Sequence, residues 1–308
     1  MNRPRRQRLA ALPAAGLLLA ACSGGGGSTA GPTVPPTSTK AAVATVPPTT
    51  RTATTAARTA PAAATTQARL AAQITASETA IRDPATPAGR LPALGRAQQR
   101  AYRALVIQPR LLPKVLPLVA PALRPVVKAN VLAGAELRKL RQPARLPRWR
   151  IVAPDPAARL LAAYRAAEAK LGVPWQYLAA IHLVETRAGR IRGTSSAGAQ
   201  GPMQFIPPTW ERFGGGGDIN DTGDAILAAA RLLRAYGAPA DMAAALWHYN
   251  PTGRYVRAVT AYAEQIRGNR RVYLGYYHWQ VYYGDTLLPE GYPSRPPSPP
   301  PAGGATSR

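Results

Sequence analysis

Apolar residues recur at helical spacing through the middle of the chain. In WQYLAAIHLVETR, which follows Pro174, the side chains of Leu178, Ile181, His182 and Glu185 return every three or four residues. Similar patterns predict further helices over residues 67–82, 93–107, 125–140, 156–171, 207–213, 225–236, 239–249 and 252–267. Strand-like alternation is scarce before the aromatic stretch at 272–284. The pattern therefore predicts an all-α fold.

Prolines interrupt one apolar stretch at every fourth position from residue 109 to residue 125. Each proline inside a helix removes a hydrogen bond and costs about 3 kcal/mol, so one continuous helix is not expected there. Lys114 and Arg124 argue against a membrane span. We expect short helical pieces that pack against the following domain, with a role at a membrane surface as the alternative.

The N-terminus has the layout of a secretory signal. Four arginines within the first eight residues precede the apolar run ALPAAGLLLA, which is too short to span a membrane. Cys22, the single cysteine of the chain, follows Leu19-Ala20-Ala21 and resembles the bacterial lipobox, in which the cysteine is lipidated. We expect removal of residues 1–21 and attachment of Cys22 to the outer side of the cytoplasmic membrane. The alternative is a soluble secreted protein with a stray cysteine.

Composition divides the rest of the chain. Residues 22–66 are rich in Gly, Ser, Thr, Ala and Pro and predict a disordered tether, and residues 288–308 predict a disordered Pro-rich tail. Between them we expect a helical accessory segment at 67–150 and a second, larger helical domain at 151–287. The net charge is +25 and favours non-specific contact with polyanions. The sequence has no nucleic-acid motif, so we expect no nucleic-acid partner.

One glutamate carries the candidate chemistry. Glu185 closes an apolar helix, where partial burial raises the pKa of a carboxyl group. A carboxylic acid that is still protonated near neutral pH can protonate a leaving oxygen, as glycosidic cleavage requires. The helix dipole disfavours a negative charge at this end, so a purely structural glutamate is an odd choice. Taken alone, Glu185 is better explained as a solvated surface residue than as a catalytic acid.

Two further motifs follow in order. The first, in GTSSAGAQGPMQFIPPTW, contains Ser195, Gly198, Ala199, Gly201, Pro202, Met203 and Gln204. The second is the His248-Tyr249-Asn250 run within ALWHYNP. With the helix-end glutamate, these motifs resemble the SLT-type lytic transglycosylases, a lysozyme-like family, over about residues 155–267. Pro202 and His248 depart from the leucine and alanine of the commonest family pattern.

The resemblance implies roles for individual residues. Glu185 is expected to act as general acid and then as general base, with Tyr249 within hydrogen-bonding reach of it. Ser195 and Gln204 are expected along the sugar cleft, and Asn250 is expected to contact the substrate or hold the loop. The remaining expected cleft residues are Met203 and Phe205 as apolar walls, for which core packing is an equal alternative.

The expected substrate is the glycan strand of peptidoglycan. In this family the N-acetyl group of MurNAc assists departure of the leaving sugar, and the MurNAc C6 hydroxyl then attacks C1. That chemistry needs no second carboxylate and no cofactor. Asp218, Asp221 and Asp224 are better explained as turn and cap residues, with Asp224 as the cap of the 225–236 helix. The alternatives are a muramidase that uses an aspartate-held water and a wall-binding lipoprotein without turnover.

Two other features leave alternatives open. His182 and Glu185 lie three residues apart and His248 is available, but the chain has no His-Glu-x-x-His run, so we expect no metal. Six late aromatic residues either stack on sugars or pack the tail onto the helical domain; they are Tyr273, Tyr276, Tyr277, Trp279, Tyr282 and Tyr283.

Overall fold

The structure is a computed structural model that describes residues 66–140 and 148–293. The predicted signal sequence, the predicted lipidation site Cys22 and almost all of the predicted tether lie outside the described residues. The predicted tail lies outside them only from residue 294, because residues 288–293 pack on the domain. Leu288 pairs with Val281 in a short antiparallel sheet, and the backbone N–H of Ile151 donates to the Tyr292 carbonyl at 2.8 Å. The boundary predicted at 288 is therefore too early.

The described part of the chain is mostly helical, which confirms the all-α prediction. The α-helices are α1 (Thr66–Arg82), α2 (Leu91–Ile107), α3 (Leu112–Val115), α4 (Arg124–Arg138), α5 (Ala157–Leu171), α6 (Trp175–Thr186), α7 (Pro207–Phe213), α8 (Thr222–Ala235), α9 (Met242–Tyr249), α10 (Gly253–Gly268) and α11 (Val272–Tyr277). Two antiparallel pairs of short strands complete it, β1 (Arg150–Ile151) with β2 (Ile191–Arg192) and β3 (Val281–Tyr283) with β4 (Thr286–Leu288). None of the helices in the described ranges is long and apolar enough to cross a bilayer.

The proline-rich segment folds as predicted into short pieces. Helix α3 has a single turn and lies between 3₁₀ turns at Pro109–Leu111 and Leu116–Leu118, and a third turn at Pro121–Leu123 leads into α4. Prolines occupy the first or second position of each piece, where the missing N–H has no helical partner to lose. Val115 and Val119 are buried, so the segment packs against the helices around it.

Two local predictions are corrected. Asp221 rather than Asp224 caps α8, because Asp221 has the extended backbone of an N-cap and its side chain accepts from the Asp224 N–H at 2.9 Å. The aromatic stretch at 272–284 begins as helix α11 and becomes strand only at Val281. Its Tyr273, Tyr276 and Trp279 side chains are buried, which supports packing over sugar stacking for these three.

The accessory segment and the predicted catalytic domain share one hydrophobic core. Helix α4 lies along α10, and α2 crosses α11 so closely that a Cβ on Gly95 would come within 2.5 Å of the Gly275 carbonyl oxygen. The Tyr276 hydroxyl donates to Oδ1 of Asn130 at 2.6 Å across this boundary. The expected packing of the accessory segment against the domain is therefore confirmed.

Candidate active site

Helix α6 is the most buried helix around the site. Ten of its twelve residues are buried, which carries the polar side chains of His182, Glu185 and Thr186 into the interior with the apolar ones. The helix ends because Arg187 and Ala188 adopt left-handed backbone conformations, with φ of 56° and 58°. Non-glycine residues rarely adopt this conformation, so the turn after Glu185 is held by its surroundings.

Glu185 is almost completely buried, with 2 % of its surface exposed. Oε1 accepts a hydrogen bond from the Tyr255 hydroxyl at 2.8 Å, and Oε2 has no hydrogen-bond partner among the described residues. Burial raises the pKa of Glu185 to about 8, although the Tyr255 hydrogen bond lowers it in part. The carboxyl is therefore protonated at neutral pH, as predicted, and the solvated-surface alternative is wrong.

The tyrosine bonded to Glu185 is not the one predicted. The Tyr249 hydroxyl donates to the backbone carbonyl of Met203 at 2.6 Å, and Tyr255 takes the expected place. The two rings stack in parallel with centroids 6.1 Å apart. Tyr255 lies on the buried face of α10 with Ala258 and Val259. In the sequence, the one indication of its role is a hydroxyl group within the apolar face of this helix.

The small-residue loop is tied to the end of α6. The Thr186 hydroxyl donates to the Pro202 carbonyl at 2.6 Å and accepts from the Gly189 N–H at 3.0 Å. Gly201 has φ +72°, and a Cβ there would overlap the carbonyl oxygen of Ile219. Only glycine suits both its backbone conformation and this close approach. The loop is thereby fixed beside the helix that carries Glu185.

Ser195 and Gln204, which were predicted to line the sugar cleft, make their hydrogen bonds within their own loop. Ser195 uses its hydroxyl oxygen to accept from the Ala197 and Ala199 N–H groups, so it shapes the loop. The amide of Gln204 donates to the Gly201 carbonyl at 2.9 Å, and its buried Oε1 has no partner among the described residues.

The other three predicted residues are all buried. Met203 has no exposed surface and Phe205 has 2 %, and the Phe205 ring lies edge-on to the Tyr249 ring, which supports core packing for both. Asn250 follows α9 with 6 % of its surface exposed, and its side chain makes no hydrogen bond to any described residue.

The histidines do not form a metal site. The His182 ring is hydrogen-bonded through Nδ1 to the Tyr164 hydroxyl at 2.7 Å, and burial lowers its pKa to about 3. His248 stacks on Tyr236 with ring centroids 3.9 Å apart. Within residues 66–140 and 148–293, no group of three His, Cys, Asp or Glu side chains could hold a metal ion.

An open groove of about 640 Å³ runs along the loop. Gln200, Gly201 and Asn220 line it together with Arg148, Arg150 and Arg192 from the β1–β2 region. None of the described Asp and Glu residues lines this groove. The groove therefore has polar loop residues on one side and a strongly basic wall on the other.

The nearby aspartates serve the turn before α8. Asp218 accepts from the Asn220 N–H at 2.8 Å, and Asp224 accepts from the Asp218 N–H at 2.9 Å. The site thus offers one protonated carboxyl, one oxygen of which has no hydrogen-bond partner among the described residues. Comparison of the chain with protein-family models, with curated proteins and with solved structures found no match.

Proposed function

We propose that the chain is a peptidoglycan lytic transglycosylase that cleaves the MurNAc–GlcNAc bond, with Glu185 as its general acid and base. In this proposal residues 151–287 form a lysozyme-like domain, held outside the cytoplasmic membrane by a lipid on Cys22. The observation that carries it is the protonated Glu185 carboxyl, one oxygen of which has no hydrogen-bond partner in the described part of the chain. An acid of this kind is what departure of a sugar oxygen requires.

The hydrogen bonding of Glu185 suits proton donation. Because Oε1 accepts from the Tyr255 hydroxyl, the proton resides on Oε2, where no described residue accepts it. In the first step Oε2–H protonates the leaving GlcNAc oxygen as its bond to C1 breaks. The C6 hydroxyl of MurNAc then attacks C1 and returns its proton to Glu185. The products are a 1,6-anhydroMurNAc end and a free GlcNAc hydroxyl, and no water is consumed.

A hydrolase with two carboxylates has less support. Asp218, Asp221 and Asp224 accept backbone hydrogen bonds in the turn and cap before α8. A muramidase would need one of them to leave this turn and hold a water opposite Glu185. We therefore favour a mechanism in which the substrate itself supplies the nucleophile.

Substrate binding requires local opening of the site. Oε2 of Glu185 and Oε1 of Gln204 are both shielded from solvent, so the side chains that cover them must move for a glycan to arrive. Neither oxygen has a partner among residues 66–140 and 148–293, and a substrate N–H or O–H could satisfy the Gln204 acceptor. The arginines of the groove suit carboxylate-bearing substituents of the glycan.

The test is mass spectrometry of muropeptides released from purified peptidoglycan by the full chain and by its Glu185→Gln variant. Glu211→Gln, which removes an exposed carboxylate on α7, is the matched control. We expect anhydroMurNAc ends from the wild type and from Glu211→Gln, and none from Glu185→Gln. Reducing MurNAc ends would identify a muramidase. Glycan binding without release by the wild type would identify a wall-binding lipoprotein.

A further inference from the structure

A second cavity lies between the accessory segment and the C-terminal end of α6. Its volume is about 60 Å³, compared with the roughly 10–15 Å³ that one water needs. Three arginines line it from three different elements, Arg103 on α2, Arg138 on α4 and Arg187 directly after α6. Asn130 and Tyr262 are also in its wall.

Arg187 is the unusual member of this wall. Its side chain is buried, with 8 % of the residue exposed, and its guanidinium donates one hydrogen bond, to the Leu183 carbonyl at 2.7 Å. A guanidinium has five N–H donors, and no ion pair joins Arg187 to any described carboxylate. Burial lowers its pKa to about 10, so the group keeps its charge at neutral pH. Buried charges are normally paired.

No side-chain carboxylate of the chain lines this cavity. All 14 Asp and Glu residues lie within the described ranges, because residues 1–65, 141–147 and 294–308 contain neither. None of the 14 lines the cavity. Arg103 forms an ion pair with the exposed Asp285 at 3.5 Å, and it also repels Arg187.

We propose that this cavity binds one small oxyanion, a phosphate ion or the phosphate end of a monoester. The guanidinium fork of Arg187 matches tetrahedral oxygens, and Arg103 and Arg138 supply further positive charge. The Tyr262 hydroxyl, which has no hydrogen-bond partner among the described residues, adds a neutral donor. The bound anion joins α2 and α4 of the accessory segment to the end of the helix that carries Glu185.

The test is isothermal titration calorimetry of the full chain with inorganic phosphate, and separately with glycerol 3-phosphate. The ionic strength is kept constant with sodium chloride. The variants are Arg187→Gln and Arg138→Gln. The control is Arg159→Gln, which removes a charge from a side chain that is 73 % exposed on α5. We expect saturable binding of one phosphate, weakened at least about tenfold by either cavity variant and unchanged in the control.

The two ligands distinguish a free ion from a phosphate carried on a larger molecule. Binding of inorganic phosphate alone would limit the site to the free ion, and binding of both would admit a monoester. Absence of saturable binding to either ligand would overturn the proposal. Equal weakening in Arg159→Gln would also overturn it, because it would indicate general attraction to a protein of net charge +25. If Arg187→Gln does not fold, Arg138→Gln decides, and neither outcome depends on catalysis.

Discussion

The stability of the wild type should depend on pH more strongly than that of the Glu185→Gln variant, because only the wild type has a buried carboxyl group at this position. The unfolded chain has the ordinary glutamate pKa of 4.5, whereas burial raises the pKa of the folded carboxyl to about 8. At pH 4 both states hold the proton and the acid carries no ionisation penalty. As the pH rises above 4.5, the unfolded chain releases its proton and the folded chain does not, so wild-type stability falls until the pH passes 8.

The expected size of this effect follows from the pKa difference. Over the roughly 2.5 pH units between the unfolded pKa and pH 7, at about 1.4 kcal/mol per unit, the wild type loses about 3 kcal/mol of unfolding free energy from this group. Gln has no proton to release, and its side-chain oxygen can still accept from the Tyr255 hydroxyl. Glu185→Gln should therefore gain about 3 kcal/mol relative to the wild type between pH 4 and pH 7.

The assay is urea unfolding followed by tryptophan fluorescence at one-unit steps from pH 4 to pH 8. The Glu211→Gln variant controls for the loss of one carboxylate at an exposed position. Parallel stability curves for the wild type and Glu185→Gln would refute the reasoning, because they would mean that Glu185 ionises with the same pKa in both states. In that event the proposed proton donor would be a carboxylate at neutral pH.

Three further predictions follow from the packing. Tyr255→Phe removes the hydrogen bond that lowers the pKa of Glu185, so the alkaline limit of muropeptide release should move to higher pH, with a stability loss of about 1–2 kcal/mol. Gly201→Ala should cost more than about 2 kcal/mol in urea unfolding, whereas Gly198→Ala, which has open space around it, should cost only the left-handed backbone penalty of about 1–2 kcal/mol. Gly95→Ala should push α2 from α11 and lower the unfolding free energy by about 1–3 kcal/mol.

Matched variants control for these effects. Tyr249→Phe loses a hydrogen bond to a backbone carbonyl, so it should leave the alkaline limit in place, and an equal shift would contradict the role assigned to Tyr255. Gly89→Ala adds a methyl group where no atom lies within 4 Å, so it should cost little. A Gly95→Ala protein as stable as Gly89→Ala would mean that the accessory segment does not pack on the domain as described.

The spacing of apolar residues was sufficient to predict most of the helices, because it shows which face of each helix is buried. The predicted end of the 156–171 helix is correct, because Gly172 follows it and adopts the left-handed conformation that stops a helix, with φ 70°. The cap of α8 was misplaced by three residues. Asp221 and Asp224 are both good cap residues, and the choice depends on which backbone is extended, which composition does not show.

The site was predictable only in part, for a related reason. The position of Glu185 at the end of an apolar helix was enough to expect a raised pKa, because burial of α6 was itself predictable. Its partner Tyr255 is 70 residues away, and its selection over Tyr249 depends on how α10 packs across α6. The unpaired charge of Arg187 is equally a tertiary feature, because it depends on where every carboxylate of the fold lies.

The strained backbone of the described residues is concentrated at one place, which bears on function. The three non-glycine residues with positive φ in the described ranges are Arg187, Ala188 and Gln204, and all three flank Glu185 or lie in the loop tied to its helix. Two of the buried side-chain oxygens that lack a partner among the described residues, on Glu185 and Gln204, lie in the same segments. Each feature costs stability, and a domain selected for stability alone has no reason to collect them. These features occur together at the end of α6, as expected for a preorganised ligand-binding site. This argument does not depend on any resemblance to other proteins.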